Sequence, residues 1–310
     1  MQGVDLPQLT AQDDEFHPVA REEDSWTETC WFAAHVAERG LGVWTYPLFR
    51  PRLGIMSCGI YVWDTSGEEI WQLPYYRVHW HLPFPKNQSL TELRLSNGLE
   101  YTVLEPLTRY HVHYEDGDAL TIDLTFEGIH APHELGVKEG RGHWDQFGRY
   151  TGELVLYGER IPIDCIDMRD RTWGPRRESK QKTILGYDYG ARSATSGFHT
   201  SSLYDHETGR YKLLTGYVLR EHGLRVVTEA WRDVERDDQG RPVRVEVNGV
   251  DEDGAAFRAE GHVVSRFGMP STPWFNWVTL MRWTLPDGSE AIGEDQETWS
   301  PERFRALRRG

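Results

Sequence analysis

Cysteine is scarce in this chain: three residues in 310, Cys30, Cys58 and Cys165, widely separated and odd in number. Such spacing supplies neither a disulfide framework nor a paired motif for zinc or redox chemistry, and it fits a reducing compartment, so a cytoplasmic location is expected. Long hydrophobic runs are missing as well. No stretch approaches the ~20 apolar residues of a membrane helix, and residues 1–23 are polar and acidic, without the apolar core of a secretion signal. No membrane insertion is therefore expected. Positive charge is in short supply, with 34 Lys and Arg against 49 Asp and Glu and a net charge of −15. A surface field of that sign repels polyanions, which excludes nucleic acid as an expected partner. The one basic cluster, Arg303 to Arg309, reads as a final amphipathic turn and a solvated tail. There is no glycine-rich phosphate loop and no strand–helix–strand rhythm, so nucleotide chemistry is disfavoured and no organic cofactor is expected. Ser196 and Ser201 lack the context of a nucleophile elbow, which argues against a serine triad.

Aromatic residues, by contrast, are abundant at 12%, with 13 Trp, 14 Tyr and 11 Phe. Rings in that number either fill a β core or line a ligand cavity. Residues 24–40 give the one early helix pattern, with Asp24 or Ser25 as its cap and Gly40 as its stop; a strand with alternating aromatics competes for the same residues. Later segments have the texture of short antiparallel strands: 59–64, 99–104, 108–114 and 119–126, then 210–219, 224–231, 243–247 and 256–264, separated by turn residues. The expected fold class is all-β, mainly antiparallel, as two tandem barrels or sandwiches. The expected domains are 1–178 and 179–310, with the junction at the hydrophilic run Arg176-Arg-Glu-Ser-Lys-Gln-Lys.

The densest charge surrounds one tryptophan, in Arg169-Asp170-Arg171-Thr172-Trp173-Gly174-Pro175-Arg176. A turn at Gly174-Pro175 would present these side chains to a shared space. Asp170 is then a candidate proton donor or acceptor, with Arg169, Arg171, Trp173 and Arg176 around it. Guanidinium neighbours would lower its carboxyl pKa, whereas apolar walls would raise it. The competing reading is a buried salt-bridge cluster joining two domains. His79-Trp-His81 and His111-Val-His113 each put two imidazoles on one face of a strand, so these four, with Glu115 or Glu105, are an alternative metal-ligand set. Trp71, Tyr76, Trp80, Trp144, Tyr189, Trp274 and Trp277 are candidate pocket-lining rings. Tyr187, with Arg192 and His199 nearby, lies on a small-residue strand that lets a ligand approach the backbone.

Gly148-Arg-Tyr-Thr-Gly-Glu-Leu and Met168-Arg-Asp-Arg-Thr-Trp-Gly-Pro-Arg resemble the AttH-like and carotenoid hydratase (hydroxyneurosporene synthase) superfamily, in its poorly characterised bacterial branch. Arg50-Pro-Arg-Leu-Gly, Asn97-Gly-Leu-Glu-Tyr, Leu104-Glu-Pro-Leu and Gly293-Glu-Asp-Gln-Glu extend the likeness over most of the chain. The resemblance implies two lipocalin-like β domains, with an apolar cavity and an active site near their junction. It also implies Asp170 as the motif acid and Trp173 and Arg176 as its companions. Relatives act on polycyclic or isoprenoid molecules, as hydratases or as cyclases. Where they often carry His after the acid, this chain has Arg171, which does not titrate usefully; His79, His81 or Tyr187 then become candidates for a second proton-transfer group.

The expected function is a cofactor-independent lyase, hydratase or isomerase acting by acid/base catalysis on a small hydrophobic substrate, terpenoid, steroidal or aromatic. Aromatic walls would stabilise electron-poor intermediates, while Arg169 and Arg176 would orient Asp170 or hold a substrate oxygen. Two alternatives are a non-catalytic carrier of lipid-like ligands and a metal-dependent barrel enzyme built on the histidine pairs.

Overall fold

Alternation of apolar and polar residues builds most of this chain into strands. In Leu120–Gly128, for instance, Leu120, Ile122, Leu124 and Phe126 are turned inward and Asp123 and Glu127 outward, the two-residue period of a half-buried strand. Tight turns separate the strands. Gly98, at φ 91°, serves one of them because a Cβ there would lie 2.3 Å from the Glu115 carbonyl oxygen. A computed structural model describes residues 9–19, 23–135, 140–176, 183–271, 274–307 and 309.

The chain divides into two compact units, Met1–Val36 with Val43–Tyr61 and Tyr75–Arg177, and Ala37–Gly42 with Val62–Pro74 and Glu178–Gly310. Eleven strands form one sheet: β1 (Trp26–Val36), β2 (Leu41–Arg50), β3 (Ile55–Trp63), β4 (Tyr75–Pro83), β5 (Glu92–Arg94), β6 (Leu99–Glu105), β7 (Arg109–Asp116), β8 (Leu120–Gly128), β9 (His133–Glu134), β10 (Gly142–Leu156) and β11 (Glu159–Pro175). Their order is β4-β3-β2-β1-β11-β10-β8-β7-β6-β5, with β9 paired to β10. The sheet curls so far that Tyr75 on β4 reaches the Tyr114 hydroxyl on β7 at 2.6 Å. The second unit holds β12 (Leu185–Ser193), β13 (Ser196–Asp205), β14 (Arg210–Arg220), β15 (Gly223–Arg236), β16 (Pro242–Asp251), β17 (Ala256–Ser271), β18 (Trp274–Thr284) and β19 (Glu290–Trp299), closed into a barrel in that order. The all-β, antiparallel, lipocalin-like reading of the sequence thus holds.

Two local expectations are corrected. Residues 24–40 form no helix: Asp24 and Ser25 make a turn into β1, and Gly40 closes a short 3-10 turn, donating to the Ala37 carbonyl at 3.2 Å. Both faces of β1 are buried, so its apolar residues carry no period that separates strand from helix. The C-terminal α1 (Pro301–Leu307) is not merely a solvated tail, because Phe304 stacks on Phe275 at 3.8 Å and meets Trp277 and Trp299.

Inside the barrel, Phe198, Val218, Val245, Val247, Met281 and Trp283 form an apolar layer. Beside it lies a charged layer. The Arg232 guanidinium donates to both Asp188 oxygens at 3.0 Å and to Glu297 at 2.8 Å, and it pairs with Asp295. Arg236 adds two bonds to Glu297 at 2.7 Å. Burial opposes the charge on Glu297, but Arg236 and Arg232 outweigh it and hold the carboxyl at about 2. Burial pushes Asp295 well above the ordinary range, opposed by Arg232 and reinforced by Asp188 and Glu297. Three buried carboxyls thus face two guanidinium groups, and burial favours the protonated form of the acid left over. Truncation of Arg232 would leave buried acids unpaired, so Arg232→Met is expected to lower unfolding free energy by about 3–5 kcal/mol in urea titration; a loss below ~1 kcal/mol would show that this layer does not hold the barrel.

Candidate active site

Strand geometry divides the charged motif in two. Residues 169–175 form no turn; they finish β11, in register with β10 through Trp144↔Arg171 and Asp145↔Asp170, and with β1 through Trp31↔Asp170 and Phe32↔Arg169. Gly174, at φ 129°, lets the strand pass Arg141, whose Cβ would lie 2.4 Å from any Cβ added there. Neighbouring side chains on a strand point to opposite faces, and directly paired residues share one. Asp170 is consequently set on one face and Arg169, Arg171 and Trp173 on the other, which corrects the picture of an acid ringed by those arginines.

The arginine face is packed. The Arg169 guanidinium lies 3.5 Å from the Tyr110 ring centroid and 4.3 Å from that of Trp144, with the Asp14 carboxylate 3.8 Å away. Asp14 in turn accepts from the Tyr110 hydroxyl at 2.9 Å and the Leu107 amide at 2.7 Å. Arg171 pairs with buried Glu28 and donates to the Thr172 carbonyl at 2.9 Å and the Glu15 carbonyl at 3.0 Å. Trp173 stacks against His17 at 4.1 Å. Residues 9–19 thus supply the Asp14 carboxylate to Arg169 and the Glu15 carbonyl to Arg171, whose acid Glu28 comes from β1, and on this face those side chains secure the N-terminal segment.

The Asp170 face carries titratable chemistry. His143 Nε2 lies 3.0 Å from Asp145 Oδ1 and 3.6 Å from Asp170 Oδ2. Asp145 is fully buried, Asp170 is 17% exposed and His143 34% exposed, so the pair can be reached from outside while its anchoring acid cannot. The second Asp170 oxygen, Oδ1, is buried with no hydrogen-bond partner among the described residues. Burial raises the Asp170 carboxyl; His143 opposes this, Asp145 adds to it, and the result is a value of about 6. Burial disfavours the His143 charge, but Asp145 and then Asp170 outweigh it and raise its pKa. A histidine whose protonated form is favoured is thereby held against a carboxyl that changes protonation at about 6, an arrangement suited to moving a proton. Trp31, opposite Asp170, opens a row of rings on the first unit: Trp44 at 5.2 Å, then Tyr61 at 6.2 Å and Tyr76 at 5.4 Å.

Among the described residues, His143, Asp145 and Asp170 offer ligand atoms within 4.8 Å of one another, as do His35, Cys165 and Asp167. In the first group the imidazole nitrogen that would bind a metal is the one that donates to Asp145. In the second, His35 Nδ1 is engaged by Asp167 at 2.6 Å and burial pushes the Cys165 thiol well above its ordinary range, so it stays protonated. In both groups the imidazole is thus already engaged by a carboxylate of the same group. The four histidines of the alternative metal-ligand set form no such cluster among the described residues: His111 and His113 contact Asp123 at 3.0 and 3.4 Å, and His79 lies 3.5 Å from Asn97. His111 and His113 thus meet the carboxylate of the neighbouring strand β8, and His79 meets a turn amide.

The remaining candidate residues fall in both units. Arg176 follows β11, its amide donating to the Ser25 carbonyl at 2.8 Å, and its charge acts on both Asp170 and His143. In the first unit Trp144 packs with Trp26 and Trp173, away from Asp170, and His81 and Trp80 lie on β4, Trp80 being 53% exposed. Trp71, in the second unit, is 76% exposed. Tyr187 packs against His199 at 4.4 Å and Tyr189 at 5.9 Å, while Trp274 begins β18 and Trp277 joins Trp299 in the second unit's core. His143 and Asp145 escaped the sequence reading as functional residues. Their signal was a His-x-Asp pair on one strand face, which acquires meaning only once the β10–β11 register sets it against Asp170. Replacing Asp145 by Asn removes the main opposite charge at His143, so the imidazole is expected to titrate at lower pH, read by NMR of its ring protons; an unchanged titration would assign the elevated His143 pKa to another partner.

Comparison with solved structures places this fold among known ones. A Nitrosomonas europaea protein provisionally assigned as AttH is similar with a TM-score of 0.63 at 11% identity, over 88% of this chain and 91% of that one. CghA, solved with Sch210972, is similar at 0.59 and 10% identity, over 89% of each chain. Kievitone hydratase from Nectria haematococca is similar at 0.56 and 11% identity, over 90% of this chain and 92% of its own. At these identities the likeness is one of fold, and it agrees with the AttH-like resemblance read from the sequence. No curated protein sequence matches the chain. The family model for DUF7064, a domain of unknown function, matches residues 10–299, and the chain therefore belongs to that family.

Proposed function

We propose that this protein is a cofactor-independent hydratase, or a lyase or isomerase of related mechanism, in which Asp170 and His143 exchange a proton with an unsaturated, largely apolar small molecule. The observation that carries the reading is the contact of His143 with both Asp145 and Asp170, beside a carboxyl raised to about 6. Protonated Asp170 is the acid and His143 its partner: donation from Asp170 to an alkene carbon leaves a carboxylate beside the imidazolium, and water attacking the resulting cation returns a proton to the pair. Trp31, paired across from Asp170, would place an aromatic ring beside a developing positive charge. The titratable imidazole comes from β10 rather than from the position after the motif acid, where Arg171 faces the other way. Fold similarity to a protein named as a hydratase favours addition of water over other outcomes and leaves the substrate to experiment.

The test is incubation with a panel of prenylated phenols and terpenoid alkenes, read by mass spectrometry for gain of one water. Asp170→Asn is expected to lower the rate by about 10²–10⁴-fold while the fold is retained. In the wild type, kcat/KM should fall as pH rises through about 6, where Asp170 loses its proton. Stability should move with it. The folded-state value lies above that of an unfolded Asp, so the contribution of the protonated group is complete below the unfolded value and is lost as pH rises through about 6; Asp170→Asn removes that dependence. Full turnover in Asp170→Asn would refute the assignment.

A further inference from the structure

The barrel of the second unit has a seam. The β14–β15 ladder runs from Arg220↔Gly223 only to Tyr217↔Val226. Beyond that point, β14 is paired with β13 as far as Arg210 and β15 with β16 as far as Arg236, but among the described residues the two strands form no ladder with each other. A recess of about 300 Å³ lies on this stretch, lined by Arg210, Tyr211, Trp231, Arg232, Asp233 and Asn248. That size suits a small organic molecule.

Its floor is rigid. Glu297 accepts from Tyr211 on β14 at 3.3 Å and from Arg232 and Arg236 on β15 at 2.8 and 2.7 Å, so one buried carboxylate staples both sides of the seam from inside. The hydrogen bonds of Arg232 go to carboxylates, and it has no free charge for a ligand. The rim differs. Arg210 and Asp233 are exposed, carry opposite charges and line the same recess, yet among the described residues neither has an ion pair or side-chain hydrogen bond. Trp231 is 43% exposed beside them, and the Asn248 amide nitrogen is bound to Glu246 at 2.8 Å, which leaves its carbonyl oxygen as an acceptor.

We propose that this recess is a second ligand site, distinct from the Asp170 face, for a small zwitterion bearing an aromatic ring. Its carboxylate pairs with Arg210, its ammonium with Asp233 and the Asn248 carbonyl, and its ring lies on Trp231 and Tyr211. The unengaged pair selects this class. A simple anion meets Asp233 as a like charge, a simple cation meets Arg210, and an uncharged ring leaves both without a partner. The stapled floor keeps the site formed before the ligand arrives, which reduces the cost of binding.

Isothermal titration of the full chain with L-phenylalanine, 3-phenylpropanoate and 2-phenylethylamine tests this. The expected result is saturable one-to-one binding of phenylalanine, with each single-charge analogue about tenfold weaker or more. Arg210→Gln and Asp233→Asn, both on the surface, should each cost about tenfold for phenylalanine and remove the discrimination against the analogue that lacks the corresponding charge. Trp231→Ala should abolish measurable binding. Equal binding of the three probes, or none by any of them, would overturn the proposal, as would phenylalanine binding that survives Trp231→Ala.

Discussion

The two-residue period of β11 is the constraint on which the reading of this molecule rests. Arg169, Asp170, Arg171, Thr172 and Trp173 are consecutive, and a strand sends them alternately to two environments on opposite faces. One environment is an aromatic and ionic packing layer around Asp14 and Glu28; the other is a partly open network of acid and imidazole. A helix or an open turn would have mixed the two. The arginines would then have drawn Asp170 toward permanent ionisation, and a carboxyl fixed as an anion is a poor proton donor.

The separation also explains why burial dominates at Asp170. Its nearest opposite charge, His143, is shared with Asp145, which is fully buried and in closer contact with the imidazole. Asp145 therefore takes most of the stabilising interaction and also adds its own negative charge to the surroundings of Asp170. Two carboxyls and one imidazole placed this way divide the roles: one acid fixes the ring, and the other is left to titrate.

Much of the architecture was legible because antiparallel strands repeat their period locally. β6, β7 and β8 follow from alternation and turn residues alone. β1 was ambiguous because both of its faces are buried, which erases the polar half of any pattern. At the site, Asp170 and Trp173 could be singled out from local charge and from a family-like motif, but their orientation depended on whether Gly174-Pro175 bends the chain or lets the strand run on. His143 and Asp145 were visible only as a sequence pair, since their role comes from a hairpin register more than twenty residues long. The charged layer of the second barrel was still harder to see: Asp188, Arg232, Asp295 and Glu297 come from three strands, and each looks like an ordinary surface charge in its own segment.

A closed barrel ordinarily abolishes sheet edges, yet beyond the short β14–β15 ladder the two strands face each other across the seam without pairing among the described residues. Edges of this kind invite pairing with strands of other molecules. The side chains along them address that hazard, with Arg210, Lys212, Glu229 and Asp233 all exposed there, so an incoming strand would have to desolvate charges of both signs before it could form a ladder. The gap in the wall is thus protected against self-association by the same kind of residue that marks it for a small charged guest.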